Sequence, residues 1–128
     1  MKLLLDTHIF IWWADEPNKL PAPVLTELED ENNTLILSVV SAWEIQIKLQ
    51  LGRLTLNAPL KTLIESQQQA NELQLLPVEL SHVLGLQALP HHHSDPFDRL
   101  LIAQAITENC TFVSMDTQVP AYSVKLLN

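Results

Sequence analysis

Four acidic residues lie at the ends of predicted strands or helices or, for one of them, on a short predicted helix: Asp6, Glu44, Asp98 and Asp116. Carboxylates that come from separate elements and meet at one place are the oxygen ligands that Mg²⁺ prefers. Ions bound in this way can activate a water molecule and stabilise charge on a phosphoryl group. The four acids therefore predict a metal site for phosphoryl chemistry, and such a site needs neither histidine nor cysteine.

Three of these acids also have an ordinary structural interpretation, which stays open at this point. Asp6 can cap a helix that follows it, and Asp116 can be a turn residue after a strand. Asp98 lies near the start of a predicted helix, where a negative charge favours the helix dipole. Asp95, just before Pro96, is a better candidate for the N-cap of that helix. Asp98 would then fall within the first helical turn.

Glu44 has two structural interpretations on its own helix. Ser41 can act as the N-cap, with Glu44 completing a capping box. Lys48 follows four residues later, in the favourable order for an ion pair. The neighbouring residues are mostly apolar, however, and a carboxylate in apolar surroundings needs a partner. The sequence supports the structural and the metal-binding interpretations of Glu44 equally.

Short apolar runs predict strands, and longer segments of helical periodicity predict helices. The predicted strands cover residues 2–5, 34–39, 75–78, 111–114 and, at the edge, 122–127. The predicted helices cover residues 7–14, 21–29, 41–51, 60–73, 81–89 and 96–108. Their alternation indicates an α/β fold that has a mostly parallel central sheet and helices on both faces. Ligands of such sheets lie beyond the carboxyl ends of the strands, which is where Asp6 and Asp116 fall.

The size and composition of the chain suit one domain over residues 1–128. Of these 128 residues 47% are hydrophobic, which is enough for a substantial core. The two glycines, Gly52 and Gly85, form no Gly-rich phosphate loop, which argues against P-loop and dinucleotide-binding proteins. The formal net charge of −8 counts against a binder of nucleic acid. Divalent cations held by the carboxylates would answer this objection, since they invert the local field.

The single cysteine, Cys110, cannot form an internal disulfide, so we expect a reducing, cytoplasmic location. Its position at the end of an apolar helix predicts a small buried residue. The apolar run near the N-terminus is too short for a signal peptide. No run approaches the ~20 apolar residues of a membrane helix.

Four segments together resemble the motifs of PIN domains. They contain the four acids in the order of that family and extend over almost the whole chain: LLLDTH at 3–8, SVVSAWEI at 38–45, HSDPFDRLLIAQA at 93–105 and FVSMD at 112–116. The third segment is the most specific of them. It is typical of VapC-like toxins of bacterial toxin–antitoxin pairs.

The resemblance implies a Rossmann-like, three-layer α/β/α PIN domain that cleaves RNA with Mg²⁺ or Mn²⁺. The four acids would form its metal-binding and catalytic cluster, in which the position of Asp116 is the most variable within the family. Thr7 and Ser114 match small polar residues beside the first and fourth acids, and Asp95 would lie near the site. The resemblance also implies a homodimer and a small antitoxin that inserts into the active-site groove.

The basic residues near the acids allow two interpretations. Lys48 can pair with Glu44, or it can bind a substrate phosphate and balance charge. Arg99 can pair with Asp95 or Asp98, or it can bind phosphate in the same way. The sequence favours neither role over the other.

Histidines and tryptophans near the motifs are mostly assigned structural roles. The three consecutive residues His91–His93 cannot all face one ion on a regular element, and thiolate partners are lacking. A solvated loop near the mouth of the site is therefore favoured over zinc, and one imidazole could contact RNA phosphate.

Trp12 and Trp13 face about 100° apart on a helix, so at most one enters the core. Core or interface packing of this pair is favoured over stacking on bases.

Two other functions are weighed against a ribonuclease. The fold could serve as an RNA- or antitoxin-binding module with little catalysis, although four intact acids argue against this. A haloacid-dehalogenase-like phosphatase would share the opening strand and aspartate. Its usual second aspartate, two residues later, is replaced here by His8. A phosphoenzyme formed on Asp6 would support the phosphatase.

Overall fold

A five-stranded sheet lies at the centre of the computed structural model, which describes all residues, Met1–Asn128. The strands are β1 (Lys2–Leu5), β2 (Thr34–Ser38), β3 (Gln74–Leu76), β4 (Thr111–Val113) and β5 (Leu126–Leu127). Every neighbouring pair is parallel, in the order β3-β2-β1-β4-β5. The strand order reverses next to β1, and ligands of open α/β sheets bind at such a reversal.

Six helices cover the two faces of the sheet. They are α1 (Thr7–Asp15), α2 (Ala22–Glu29), α3 (Val39–Gln50), α4 (Leu60–Asn71), α5 (Leu80–Gly85) and α6 (Pro96–Thr107). Short 3-10 turns occur at Pro17–Lys19, Leu86–Ala88 and Val119–Ala121. None of the helices is both long enough and apolar enough to cross a membrane.

Alternate residues of β1 enter two separate cores, because successive side chains of a strand point to opposite faces. Leu3 and Leu5 belong to a cluster built with α1, α2 and α3. Leu4 belongs to a cluster on the other face, built mainly with α6. All three leucines are fully buried, as expected for a parallel sheet that is covered on both sides. The predicted layered α/β architecture is confirmed, and its sheet is entirely parallel.

The start of α3 differs from the prediction. Ser38, at the end of β2, is the N-cap, and its hydroxyl accepts a hydrogen bond from the Val40 backbone N–H at 3.0 Å. The helix therefore begins at Val39, and Ser41 lies in its first turn. The predicted capping box between Ser41 and Glu44 is wrong, because an earlier serine already caps the helix.

Three other elements are shorter than predicted. Pro77 follows β3 directly and ends it, because proline has no N–H for the ladder. The helix predicted over 81–89 ends at Gly85, and Leu86–Ala88 continues it as a 3-10 turn. Of the edge strand predicted over 122–127, only Leu126–Leu127 pairs with the sheet. Its neighbour β4 is itself only three residues long, which limits the pairing.

Two predictions about individual buried residues are confirmed. Trp13 enters the core, whereas Trp12 only packs against its edge, as expected for adjacent helical residues. Cys110 is buried, and this burial raises the pKa of its thiol. The thiol is therefore held in its protonated, less reactive form.

Replacing Leu4 by alanine should leave a cavity beside the central strand. We expect the free energy of unfolding to fall by about 2–5 kcal/mol, the usual cost of truncating a buried leucine. Leu51→Ala is the matched control because Leu51 is 59% exposed. The control should change stability by less than about 0.5 kcal/mol. Urea unfolding followed by circular dichroism measures both changes, and equal losses would contradict the central position of β1.

Candidate active site

Asp6 lies directly after β1 and is almost fully buried. Its Oδ1 accepts a hydrogen bond from the Thr7 backbone N–H at 2.7 Å, which caps α1. Its other oxygen, Oδ2, accepts a hydrogen bond from the Ser114 hydroxyl at 2.7 Å. Asp6 is thus the helix cap that the structural interpretation expected, and it still presents a carboxylate at the carboxyl edge of the sheet.

Ser114 joins the ends of β1 and β4. Besides donating to Asp6, its hydroxyl accepts a hydrogen bond from the Asp116 backbone N–H at 3.0 Å. The Asp116 carboxylate in turn accepts from the backbone N–H of Gln118 at 2.8 Å, as an aspartate does in a local turn. The fourth predicted acid therefore lies in a turn that the first acid helps to fix.

Thr7 connects Asp6 to Glu44. Its backbone N–H binds Asp6, and its hydroxyl donates to Glu44 Oε1 at 2.7 Å. The Ser41 hydroxyl lies 3.0 Å from the same Thr7 oxygen. Ser41 thus contacts Thr7, and Ser38 caps α3. Lys48 Nζ lies 2.8 Å from Glu44 Oε2, so the ion pair expected from the i,i+4 spacing is present.

Asp95 caps α6, as the sequence predicts. Its Oδ1 accepts hydrogen bonds from the backbone N–H groups of Phe97, at 2.8 Å, and of Asp98, at 3.4 Å. Because Asp95 fills the capping position, the Asp98 carboxylate in the first turn is available for other contacts. One of those contacts is with a histidine.

His93 connects Asp98 to Asp116, which the sequence analysis missed. Its Nε2 lies 2.8 Å from Asp116 Oδ2 and 3.0 Å from Asp98 Oδ2. Its Nδ1 accepts a hydrogen bond from the Asp95 backbone N–H at 3.2 Å, so Nε2 carries the proton that faces the carboxylates. His91 and His92 are exposed as predicted. The one local signal for His93 was its place two residues before the N-cap Asp95.

Arg99 is anchored to backbone and not to the acids. Only 8% of its surface is exposed, and its guanidinium donates to the carbonyl oxygens of Leu89 and Pro90 and to the Tyr122 hydroxyl. Of the two interpretations that the sequence left open, the ion pair with Asp95 or Asp98 is therefore absent, because these carbonyls surround the charge. The Tyr122 oxygen also accepts from the His93 backbone N–H at 2.7 Å. Arg99 and Tyr122 thus position the segment that presents His93.

These contacts join all four predicted acids into one hydrogen-bonded chain. In spatial order it consists of Glu44, Thr7, Asp6, Ser114, Asp116, His93 and Asp98. The residues come from the ends of β1 and β4, from α3, and from the start of α6 and the segment before it. Sequence positions more than a hundred residues apart therefore meet at one rim of the sheet.

Burial is the main reason that the pKa of Asp6 lies above its ordinary value. The neighbouring Glu44 charge raises it further, whereas three contacts lower it without reversing the shift: His8, Ser114 and Thr7. His8 contributes through its Nδ1, which lies 3.6 Å from Asp6 Oδ2. Ionisation of Asp6 is therefore less favourable than that of an exposed aspartate, although every partner of the carboxylate is a donor.

Burial also raises the pKa of Asp98, to about 7. Repulsion from three other carboxylates adds to this, from Asp6, Asp95 and Glu44, while His93 opposes it. Asp116 behaves differently, because its hydrogen bond from Gln118 and its contact with His93 lower its pKa despite some burial. The acids of the site thus carry more negative charge than the positively charged side chains around them balance.

Comparisons with known proteins identify the family of this chain and structures with a similar fold. A family profile of the PIN domain matches residues 3–125. Ribonuclease VapC22 of Mycobacterium tuberculosis is 27% identical over 121 residues, which cover 94% of this chain and 91% of that protein. VapBC2 from Rickettsia felis, solved bound to a DNA fragment from its promoter, aligns with a TM-score of 0.71 and 21% identity, over 100% of this chain and 98% of that chain. FitAcB from Neisseria gonorrhoeae aligns with a TM-score of 0.64 and 20% identity, over 98% and 96% of the two chains.

An all-parallel sheet with carboxylates gathered at the ends of β1 and β4 defines an α/β protein with an acidic site at its strand reversal. The chain belongs to the PIN-domain family, since the family profile covers nearly its whole length. It is distantly homologous to the VapC ribonuclease toxins of VapBC toxin–antitoxin systems. The resemblance seen in the sequence is confirmed, and the phosphatase alternative is left without support.

Removing the charge of Asp98 should stabilise the protein in EDTA at high pH. The folded-state pKa of about 7 exceeds the ordinary value of 3.8. The folded protein therefore holds a proton that the unfolded chain releases, and stability falls as the pH rises from about 4 to about 7. At about pH 8 we expect Asp98→Asn to be more stable than the unchanged protein by about 1–3 kcal/mol.

Thermal and urea unfolding across the pH range measure this difference, which should vanish near pH 4. Glu29→Gln is the matched control, because Glu29 is exposed and should give no pH-dependent gain. A less stable Asp98→Asn protein at high pH would show that the contact with His93 outweighs the repulsion.

Proposed function

We propose that this protein is a metal-dependent endoribonuclease that hydrolyses RNA phosphodiester bonds, and that it is the toxin of a toxin–antitoxin pair. The supporting observation is the hydrogen-bonded chain in which four carboxylates from separate elements meet: Asp6, Glu44, Asp98 and Asp116. Membership of the PIN-domain family gives this cluster its proposed chemistry. The distant homology to VapC22, a ribonuclease by name, supports RNA as the substrate.

The donor set fits a hard divalent cation. Ligand atoms of His93, Asp98 and Asp116 lie within 4.8 Å of one another, and Asp6 is joined to Asp116 through one serine hydroxyl. Burial raises the pKa of Asp98 most, and repulsion from three other carboxylates adds to it; a bound cation would relieve that repulsion. Carboxylate oxygens suit Mg²⁺, and an added imidazole suits Mn²⁺. We therefore propose that the four acids hold Mg²⁺ or Mn²⁺.

When bound, such a cation supplies an activated water and stabilises charge on the phosphoryl group. The chain itself positions the groups around it. Ser114 and Thr7 fix the orientations of Asp6 and Glu44 through hydroxyl hydrogen bonds. Lys48 holds the second Glu44 oxygen. The carboxylates so fixed orient the attacking water and accept its proton.

Cleavage of a labelled single-stranded RNA should require Mg²⁺ or Mn²⁺ and stop in EDTA. Asp6→Asn should reduce cleavage to the level seen in EDTA, because a central carboxylate of the cluster is lost. Ser114→Ala should lower kcat/KM by about 10–100-fold, the usual cost of removing a group that orients a metal-binding residue. Ser123→Ala is the matched control, since Ser123 is exposed.

Calorimetric titration with Mn²⁺ provides a second measurement on the same variants. We expect Asp6→Asn to lose most of its Mn²⁺ affinity and Ser123→Ala to keep it. Undiminished cleavage by Asp6→Asn would overturn the assignment of the site. Tight RNA binding without turnover at any metal concentration would favour the alternative of a binding module with little catalysis.

The proposed partner is a small antitoxin protein, and the proposed assembly is a homodimer in the cytoplasm. The solved structures with this fold include VapBC2 and a toxin–antitoxin complex from Klebsiella pneumoniae. Co-expression with the small protein of the adjacent reading frame should give a stable complex by size-exclusion chromatography with light scattering. The complex should cleave RNA more slowly than the protein alone. Full activity in the complex would contradict insertion of the partner into the site.

A further inference from the structure

Trp43 is an exposed aromatic residue at the edge of the acidic site. It directly precedes Glu44 on α3, and 60% of its surface is exposed. Its ring centroid lies 5.0 Å from that of Phe97, with the planes at 73°. Phe97 directly precedes Asp98 on α6. Each member of the aromatic pair is therefore the chain neighbour of a carboxylate of the site, one on α3 and one on α6.

The exposure of Trp43 is not explained by the packing of α3. The buried face of this helix is formed by its other residues: Val40, Ser41, Glu44 and Ile45. The remaining tryptophans, Trp12 and Trp13, lie in or against the core. An edge-to-face contact orients an aromatic ring without covering both of its faces. Phe97 thus orients the indole, and most of the indole stays accessible to a ligand.

The charges around the site limit how RNA can be bound. The chain has 7 Lys and Arg residues against 15 Asp and Glu residues. Lys48 is paired with Glu44, and Arg99 is buried against backbone carbonyls. Phosphate contacts therefore contribute less affinity here than in basic nucleases. Base–aromatic stacking contributes affinity without positive charge, and every base can stack.

We propose that Trp43, oriented by Phe97, stacks against an unpaired nucleobase next to the phosphodiester that is cleaved. This inference rests on the proposed function and adds a substrate-positioning residue to it. Stacking requires a base outside a duplex, so the preferred substrate is single-stranded RNA or a loop. Stacking on Trp43 requires that a base be present at this position of the RNA, but it distinguishes only weakly between the four bases.

The test compares Trp43→Ala, Trp43→Phe and the unchanged protein on an RNA whose cleavage site has been mapped. Abasic nucleotides replace each base near that site in turn. On intact RNA, Trp43→Ala should raise KM about 5–100-fold with little change in kcat, the range expected for losing one stacked base. Trp43→Phe should retain most of the affinity. Leu51→Ala, which changes an exposed residue after the far end of α3, should behave as the unchanged protein.

The abasic series separates stacking from a structural role. One abasic position should lower the affinity of the unchanged protein but have no further effect on Trp43→Ala. Equal losses in both proteins at every position would overturn the proposal. A Trp43→Ala protein that binds intact RNA normally but no longer binds the antitoxin would overturn it too, in favour of a protein contact.

A binding measurement keeps this inference distinct from the proposed function. Fluorescence anisotropy of intact and abasic RNAs in an Asp6→Asn background needs no cleavage. If the unchanged protein cleaves no RNA with any metal, the proposed nuclease activity fails. Anisotropy still decides on stacking, because a Trp43-dependent preference for intact over abasic RNA supports it and the lack of that preference rejects it.

Discussion

The burial of the Asp6 carboxylate, only 2% exposed at the end of the central strand, constrains everything around it. A buried carboxylate is tolerated only when hydrogen bonds satisfy it. The Thr7 backbone N–H and the Ser114 hydroxyl provide them, and each donor is fixed by a different element. The positions of α1 and of the segment after β4 therefore depend on this one group. The parallel sheet brings both elements to the same edge, which makes the arrangement possible.

The structural and functional interpretations of the acids turn out to be compatible, because other residues take the structural roles that would compete. Ser38 caps α3, which leaves Ser41 to contact Thr7 and Glu44 to face the site. Asp95 caps α6 and leaves the Asp98 carboxylate to the cluster. In both helices one residue caps the N-terminus, and an acid three or more residues later contacts the site. The acid is therefore not needed to stabilise the start of its helix.

The sequence predicts what is local in this molecule and misses what depends on distant contacts. Apolar runs and caps located the strands and α6, since these signals lie within a few residues. The inward position of His93 depends on Tyr122 and Asp116, which follow it by 29 and 23 residues. The burial of Arg99 likewise depends on backbone carbonyls of another segment. No local pattern encodes such contacts, so the sequence offered ion pairing or phosphate binding for Arg99 and did not offer its anchoring to backbone carbonyls.

The same cluster contributes four of the 15 Asp and Glu residues whose charge seemed to argue against a nuclease. Burial, together with repulsion from several carboxylates, raises the pKa of Asp98 to about 7. Lys48 offsets part of this charge, and the Nε2–H of His93 faces two of the carboxylates, so both side chains already contact the acids. Neither is therefore available as an independent phosphate-binding group. Under the proposed function, binding of RNA at this site would depend on a cation between the carboxylates and the phosphate, and on contacts to the bases. In such a site, stacking against the bases would add affinity that the side chains around the acids cannot supply as positive charge.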